Sequence, residues 1–292
     1  MLSIIQAFIF FTGSFSLQKK TVEDLRQAGI EFLYFNSFFR HTHRKLVIVD
    51  KKFAFLGGVN IEEKIRNWRD LQIAVRGRIV LPILRSFAKI YRDCGGQDEE
   101  IRKYASSVPV KKIKAWIIDN IPGSGRLYYL NSYYKDKIAG ARASIQIVTP
   151  YLSPPRWLLS SLANAVERGV RVEIILPMNT DVKVINRVNR ANAVRLSDIG
   201  VAIFLSPTMN HAKVMVIDRQ EGVIGSQNLD ILSFGLNMEL GIFFAQKDLI
   251  EKVALLFERW KREASLFSSS SQKLRSGDKF LLLVIKFLYP IF

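Results

Sequence analysis

The sequence predicts an α/β protein built from two similar lobes, each a mixed β-sheet flanked by helices, with an active site where the lobes meet. The first observation behind this is a repeat. His43-Arg-Lys45-Leu-Val-Ile-Val-Asp50, followed by Gly57-Gly58-Val-Asn60, returns as His211-Ala-Lys213-Val-Met-Val-Ile-Asp218, followed by Gly225-Ser226-Gln-Asn228, with every matched position 168 residues on. Chance does not hold five chemically specific positions at one offset. The second is rhythm: β-branched runs alternate with helical stretches, the pattern of α/β lobes.

The elements follow in order. Residues 2–9 are apolar and stand 168 positions before Val170 to Pro177, so they read as the first lobe's counterpart of that strand. The strand before it would fall at negative positions, and the first lobe is expected to lack its opening strand and helix. Thr21 to Gly29 predicts a helix, with Thr21 as N-cap and a glycine stop. Ile30 to Phe35 predicts a strand that delivers His41 and His43. His41 has no equivalent in the second copy, where Met209 stands, and reads as an incidental or rim histidine.

Lys45 to Asp50 and the run from Phe53 predict a hairpin, and Leu71 to Val75 a further strand. Arg78 to Cys94 predicts an amphipathic helix. Gly95 to Lys114 reads as a polar connection containing the lobe boundary, which gives lobes at 1–108 and 109–267. Helices are predicted at Leu127 to Gly140, Pro154 to Gly169, Asp181 to Gly200 and Leu249 to Ala264. Between them fall strands at Ala143 to Thr149, Val170 to Pro177 and Val201 to Leu205. Residues 268–292 make a polar linker and an apolar tail. The tail, interrupted by Lys286 and Pro290, is shorter than the ~20 residues of a spanning helix and reads as an interfacial anchor.

Composition narrows the partners. A net charge of +17 and a pI of about 10.0 point to an anionic partner, phospholipid headgroups or nucleic acid. The single cysteine, Cys94, excludes an internal disulfide framework and reads as an inert thiol. With three histidines and no ligand cluster, the chemistry is expected to need no metal or other cofactor.

Residues two apart on a strand share a face, so each motif sets a histidine beside a lysine. Gly58 and Ser226, with Asn60 and Asn228, read as an anion cradle of amides and carboxamides. Asp50 and Asp218 belong to the repeated motif and are counted with its catalytic set. Each lies five residues beyond its lysine, roughly 16 Å along a strand, which assigns it to fixing the hairpin turn.

The paired HxK(x)4D(x)6G[GS]xN motifs resemble the phospholipase D superfamily. Trp68-Arg-Asp70, Thr149-Pro150-Tyr151, Arg168-Gly169-Val170, Asn228-Leu-Asp230, Asn237 and Glu239 are similar to bacterial cardiolipin synthases in particular, over roughly residues 14–267. Gln72 and Leu232 depart from that family, which usually has His and often Arg there. The resemblance implies a covalent phosphatidyl-histidine intermediate, with His43 as nucleophile, His211 as general acid, and Lys45, Lys213, Asn60 and Asn228 around the phosphate. It also implies that Asp70 and Glu239 orient the histidines. The reaction implied is transfer from one phosphatidylglycerol to another, giving cardiolipin and glycerol at the cytoplasmic side of a bacterial membrane. Alternatives left open are a phosphodiesterase of the same superfamily, acting on lipid or nucleic acid, and an inactive remnant that binds anionic membrane. An apolar tail and the lack of an aromatic and basic strand platform disfavour nucleic acid.

Overall fold

A computed structural model describes residues 19–35, 41–106, 115–120 and 127–268, together with Gly277. The expected strand at 2–9 and the apolar tail from Lys279 lie outside these residues.

In the first half, α1 (Lys19–Gln27) precedes the two-residue β1 (His41–Thr42), then β2 (Lys45–Val49), β3 (Phe53–Gly57) and β4 (Gln72–Arg76). These last three form an antiparallel sheet in the order β2-β3-β4. α2 (Val80–Asp93) covers it with Val80, Ile83, Leu84 and Phe87, and the short α3 (Glu99–Arg102) follows. The second half opens with β5 (Ala115–Asn120) and α4 (Leu127–Gly140), then β6 (Ser144–Val148), β7 (Leu152–Ser153) and α5 (Arg156–Glu167). Next come β8 (Arg171–Pro177), α6 (Lys183–Asp198), β9 (Ala202–Ser206), β10 (Val214–Ile217) and β11 (Glu221–Gly225). The last elements are β12 (Leu229–Asp230), α7 (Ile231–Gly235), β13 (Asn237–Phe244), α8 (Lys247–Arg262) and β14 (Ser265–Leu266).

The large sheet runs β1-β13-β11-β10-β6-β8-β9-β14, with β5 also paired to β13. It is mixed: β6, β8 and β9 are parallel, as the βαβ connections through α5 and α6 require, while β10, β11 and β13 are antiparallel. One face packs on α4, α5 and α6 through Leu130, Leu158, Leu162 and Leu196. The other carries Ile250, Val253 and Phe257 of α8. That second core is continuous with the first-half sheet, since Leu46, Ile48, Leu56 and Ile73 belong to the same buried cluster as Val214, Ile224 and Ile242. The halves therefore share a core as well as an interface.

Two expectations need correcting. Leu33 and Phe35 turn toward the core and Tyr34 to solvent, which is strand-like alternation. Yet 30–35 makes no ladder with any described strand. Conversely, β5 begins immediately after the expected polar connection and adds an unforeseen strand to β13.

Candidate active site

The repeated hairpins are near copies. Lys45 pairs with Gly57 and Val214 with Ile224, and each hairpin turns through two residues of positive φ: Asp50 (52°) and Lys51 (56°), then Asp218 (53°) and Arg219 (51°). Positive φ at both central positions is what a type I′ turn requires, and Asp tolerates it better than most side chains. Asp218 has a further role. Its carboxylate accepts the amides of Arg142, Ala143 and Ser144 at 2.9, 2.8 and 2.8 Å, joining the turn to the start of β6. Burial works to raise its pKa, and these three N–H groups more than offset that. Neither Asp50 nor Asp218 is brought to the histidines; both occupy the turn ends of their strands.

At the opposite ends stand the imidazoles, and here the halves exchange partners. His211 Nδ1 lies 2.7 Å from Asp70 Oδ2, and His43 Nδ1 lies 3.2 Å from Glu239 Oε2. Each histidine is thus oriented by the acid of the other half. Backbone pairing delivers the exchange. The N–H of His43 donates to Met238 O at 2.9 Å as β1 runs parallel to β13, and the N–H of His211 donates to Arg69 O at 2.6 Å beside a parallel bridge between Arg69 and Asn210. The histidines are 168 residues apart and their partners, Arg69 and Met238, 169 apart, so the two contacts are near-equivalents related by a pseudo-twofold axis through the site.

The lysines follow the same symmetry. Lys45 Nζ donates to His43 O at 2.8 Å and Lys213 Nζ to His211 O at 2.6 Å. Burial, with Lys213 nearby, lowers Lys45 to about 7, and burial lowers Lys213 to about 8. Two desolvated ammonium groups so placed hold attraction for an anion in reserve.

The imidazoles themselves differ. The His211 side chain is 4% exposed, against 24% for His43. Lys213 Nζ stands 3.0 Å from His211 Nε2, while the rings of Trp68 and Tyr151 lie 5.5 and 6.2 Å away. Burial first, and then the Lys213 charge, lower His211 to about 4 despite Asp70, so the ring is neutral at neutral pH. Burial alone would raise Glu239, but the charge and hydrogen bond of His43, with help from Lys45 and Ser226, hold it at about 2. His43 therefore faces a firmly ionised carboxylate.

The anion cradle is built differently from the sequence reading. Gly58 donates its N–H to Leu71 O and Ser226 its N–H to Leu240 O, at 3.1 and 3.0 Å, so neither amide is open to a phosphate. A Cβ on Gly58 would sit 2.3 Å from Asp70 Oδ1, and the Ser226 hydroxyl donates to Glu239 Oε2 at 2.5 Å. Both positions serve the carboxylates. Asn60 is half-buried beside them. Asn228 is buried, and its Oδ1 has no hydrogen-bond partner among the described residues, as suits a group kept for a ligand.

Ser233, to which the sequence reading gave no role, also reaches the site, donating to Glu239 Oε1 at 2.8 Å. Asp230, three residues earlier, caps its amide at 2.7 Å; a capping Asp ahead of a short apolar turn is the one local signal for it. His41 is exposed at the edge of β1, Gln72 is half-buried opposite Gly57, and Leu232 faces solvent on α7. Burial raises the Cys94 thiol to about 11, which leaves it protonated and unreactive near neutrality.

A family described as "Cardiolipin synthase, PLD-like domain" matches residues 134–261. Over that segment the chain resembles the phospholipase D superfamily. The chain is similar to a cardiolipin synthase of Clostridium perfringens, 32% identical over 252 residues, covering 78% of this chain and 53% of that protein. It is also similar to cardiolipin synthase 2 of Bacillus anthracis, 29% identical over 272 residues, covering 87% of this chain and 53% of that one. The chain thus spans about half the length of the curated relatives it matches. Solved structures share the fold at low identity. The phosphatidylserine synthase of Haemophilus influenzae superposes with a TM-score of 0.62 at 17% identity, over 87% of this chain and 69% of that one. The polyphosphate kinase of Porphyromonas gingivalis gives 0.61 at 13%, over 96% of this chain and 44% of that one.

Proposed function

We propose that this chain carries the catalytic centre of a cardiolipin synthase-like phosphatidyltransferase, which joins two phosphatidylglycerol molecules into cardiolipin and glycerol. The observation that carries the reading is the exchange of carboxylates: two imidazoles from the repeated motifs are each held through Nδ1 by an acid of the other half.

In the mechanism, one of the two imidazoles attacks phosphorus. The P–O bond to the glycerol headgroup breaks as the other imidazole gives a proton to the leaving oxygen. The phosphatidyl group is then held on the first histidine. The hydroxyl of a second phosphatidylglycerol passes its proton to the other imidazole and attacks phosphorus, which frees the first. Lys45, Lys213, Asn60 and Asn228 stabilise the charge on the equatorial oxygens of each five-coordinate state. In this reading the lobes are 1–108 and 109–267, and 268–292 meets a membrane surface. The +17 charge favours an anionic bilayer at the cytoplasmic face of the cell membrane. The attachment proposed is peripheral or through the tail; among the described residues no helix is long and apolar enough to cross a membrane.

The test is to incubate the purified protein with labelled phosphatidylglycerol. Cardiolipin and glycerol are expected, with label trapped on one of the two motif histidines in an alkaline quench. Phosphatidic acid as the product would instead indicate hydrolysis, cleaved DNA a nuclease, and no turnover an inactive membrane-binding chain.

A further inference from the structure

Strands β6, β8 and β9 are parallel and end at one edge of the large sheet, the edge from which β10 sets out just after His211. Loops leaving that edge frame the mouth of the site, as carboxyl-end loops do in open α/β sheets. One of them, 178–182, is tied to the site directly. Tyr151, whose ring lies 6.2 Å from that of His211, donates its hydroxyl to Asp181 Oδ1 at 2.8 Å. The loop is also fixed by its own bonds: Thr180 donates its N–H to Asn186 Oδ1 at 2.6 Å and its hydroxyl to Val182 O at 3.0 Å. This fixed backbone turns aliphatic side chains to solvent, with Met178, Val182 and Val184 45%, 41% and 47% exposed. Ile61, next to Asn60, and Leu232, next to Ser233, are exposed as well.

Cations accompany these aliphatics. On α6, Lys183, Arg187 and Arg190 stand at i, i+4 and i+7, an exposed stripe along one side of the helix. The first turn holds no acid, and Lys183 and Arg190 form no ion pair with any described residue. Positive charge at a helix N-terminus opposes the macrodipole, and like charges at i, i+4 repel, so the stripe works against stability unless an anion meets it. Gly277, two residues before the apolar tail begins, lies against the same stripe: a Cβ there would be 3.3 Å from Arg187 Nη2. Aliphatic groups interleaved with cations match a surface that has phosphates above an apolar layer. They match a polynucleotide poorly, since none of these outward groups is a ring on which a base could stack.

We propose that the 178–182 loop and the first two turns of α6 are the surface by which the protein docks on an anionic phospholipid bilayer. Met178, Val182 and Val184 enter the headgroup layer, and Lys183, Arg187 and Arg190 meet the lipid phosphates. The mouth then faces the membrane, and a phosphodiester reaches the histidines without leaving it. This gives the lipid reading above its direction of approach, and rests on that reading for the identity of the substrate.

The test keeps the full chain and compares vesicles of phosphatidylglycerol with vesicles of phosphatidylcholine by co-sedimentation. Lys183→Gln, Arg187→Gln and Arg190→Gln together are expected to weaken binding to the anionic vesicles about 100-fold at low salt, about 5-fold for each charge near an anionic surface. Activity of this triple variant should fall on phosphatidylglycerol vesicles and hold on a soluble short-chain diester. Unchanged vesicle binding would overturn the proposal, and loss of DNA binding with vesicle binding intact would reassign the stripe to nucleic acid. A second readout locates the face. With Cys94→Ser removing the native thiol, an environment-sensitive dye is attached through Val184→Cys or through Leu255→Cys, the latter at an exposed position of α8 on the sheet's other side. The dye at position 184 should brighten on phosphatidylglycerol vesicles and be quenched by lipids labelled near the headgroup; the dye at 255 should do neither. A silent dye at 184, or equal responses at both positions, would sink the proposal. Neither readout needs turnover, so a protein that docks in this way yet makes no cardiolipin refutes the function proposed above and leaves this surface standing.

Discussion

At the scale of single residues, the exchanged carboxylates make a prediction that a lobe-by-lobe site would not. Double-mutant cycles should find coupling of about 1–3 kcal/mol between Asp70 and His211 and between Glu239 and His43, measured on kcat/KM. Asp70 with His43 should give a near-additive cycle. Acidity supplies a second expectation. Charge stabilisation needs Lys45 protonated, so kcat/KM on a soluble diester should fall as pH rises through about 7. Stability responds in its own window. Below the unfolded value of 6.5 the unfolded chain protonates His211's ring while the folded chain, at about 4, does not. Folding should therefore weaken as pH drops through that interval, and His211→Asn should flatten this leg of the denaturation profile. The histidines, lysines and asparagines were all legible in the repeat, because a fixed offset marks paired chemistry without any knowledge of the fold. Which acid serves which ring was not, because those contacts join residues 141 and 196 positions apart. Nor was the use of Ser226, since a hydroxyl beside a glycine reads equally as a ligand for phosphate or for a neighbouring carboxylate.

Among the elements, the hairpin turns separate two aspartates that the motif treats alike. Asp218→Ala removes the acceptor of three backbone amides and should cost about 1–3 kcal/mol in denaturant unfolding. Asp50→Ala should cost less, because the described residues offer that carboxylate no such amides. Gly225 marks another element-scale constraint: a Cβ there would lie 2.1 Å from Gln227 Oε1 and 2.7 Å from Gly241 Cα, between β11 and β13. Gly225→Ala should destabilise by about 1–3 kcal/mol, read as a lowered Tm, and should reduce activity by shifting the strand that carries Glu239. Most helices and strands were legible from periodicity within a few residues of their ends. β5 was not: one strand beside a polar connection carries little local signal, and its place is set by the open edge of β13. The stretch at 30–35 failed in the opposite direction, since alternation records which side chains face inward and says nothing about whether a neighbouring strand is there to accept hydrogen bonds.

For the molecule as a whole, the shared core decides how it unfolds. Leu46, Leu56 and Ile73 from one half pack with Val214, Ile224 and Ile242 from the other, and Arg69 forms an ion pair with Glu263 across the same boundary. Each buried aliphatic side chain contributes about 1.5–3 kcal/mol, so separating the halves would forfeit an amount comparable to a typical domain's net stability. Calorimetry should show one cooperative transition; two resolved transitions, one per lobe, would contradict the shared core. The two-lobed plan was visible in the repeat, whereas the depth of the join was not, because a duplicated motif records kinship between segments and not how much surface they bury together. The exchanged acids carry a historical consequence. A lone ancestor of either lobe would have aimed its carboxylate past its own imidazole at empty solvent, and only by meeting an identical twin could it have assembled two oriented rings. Tandem fusion would then have freed the twins to diverge, letting serines accumulate on one side and glycine on the other.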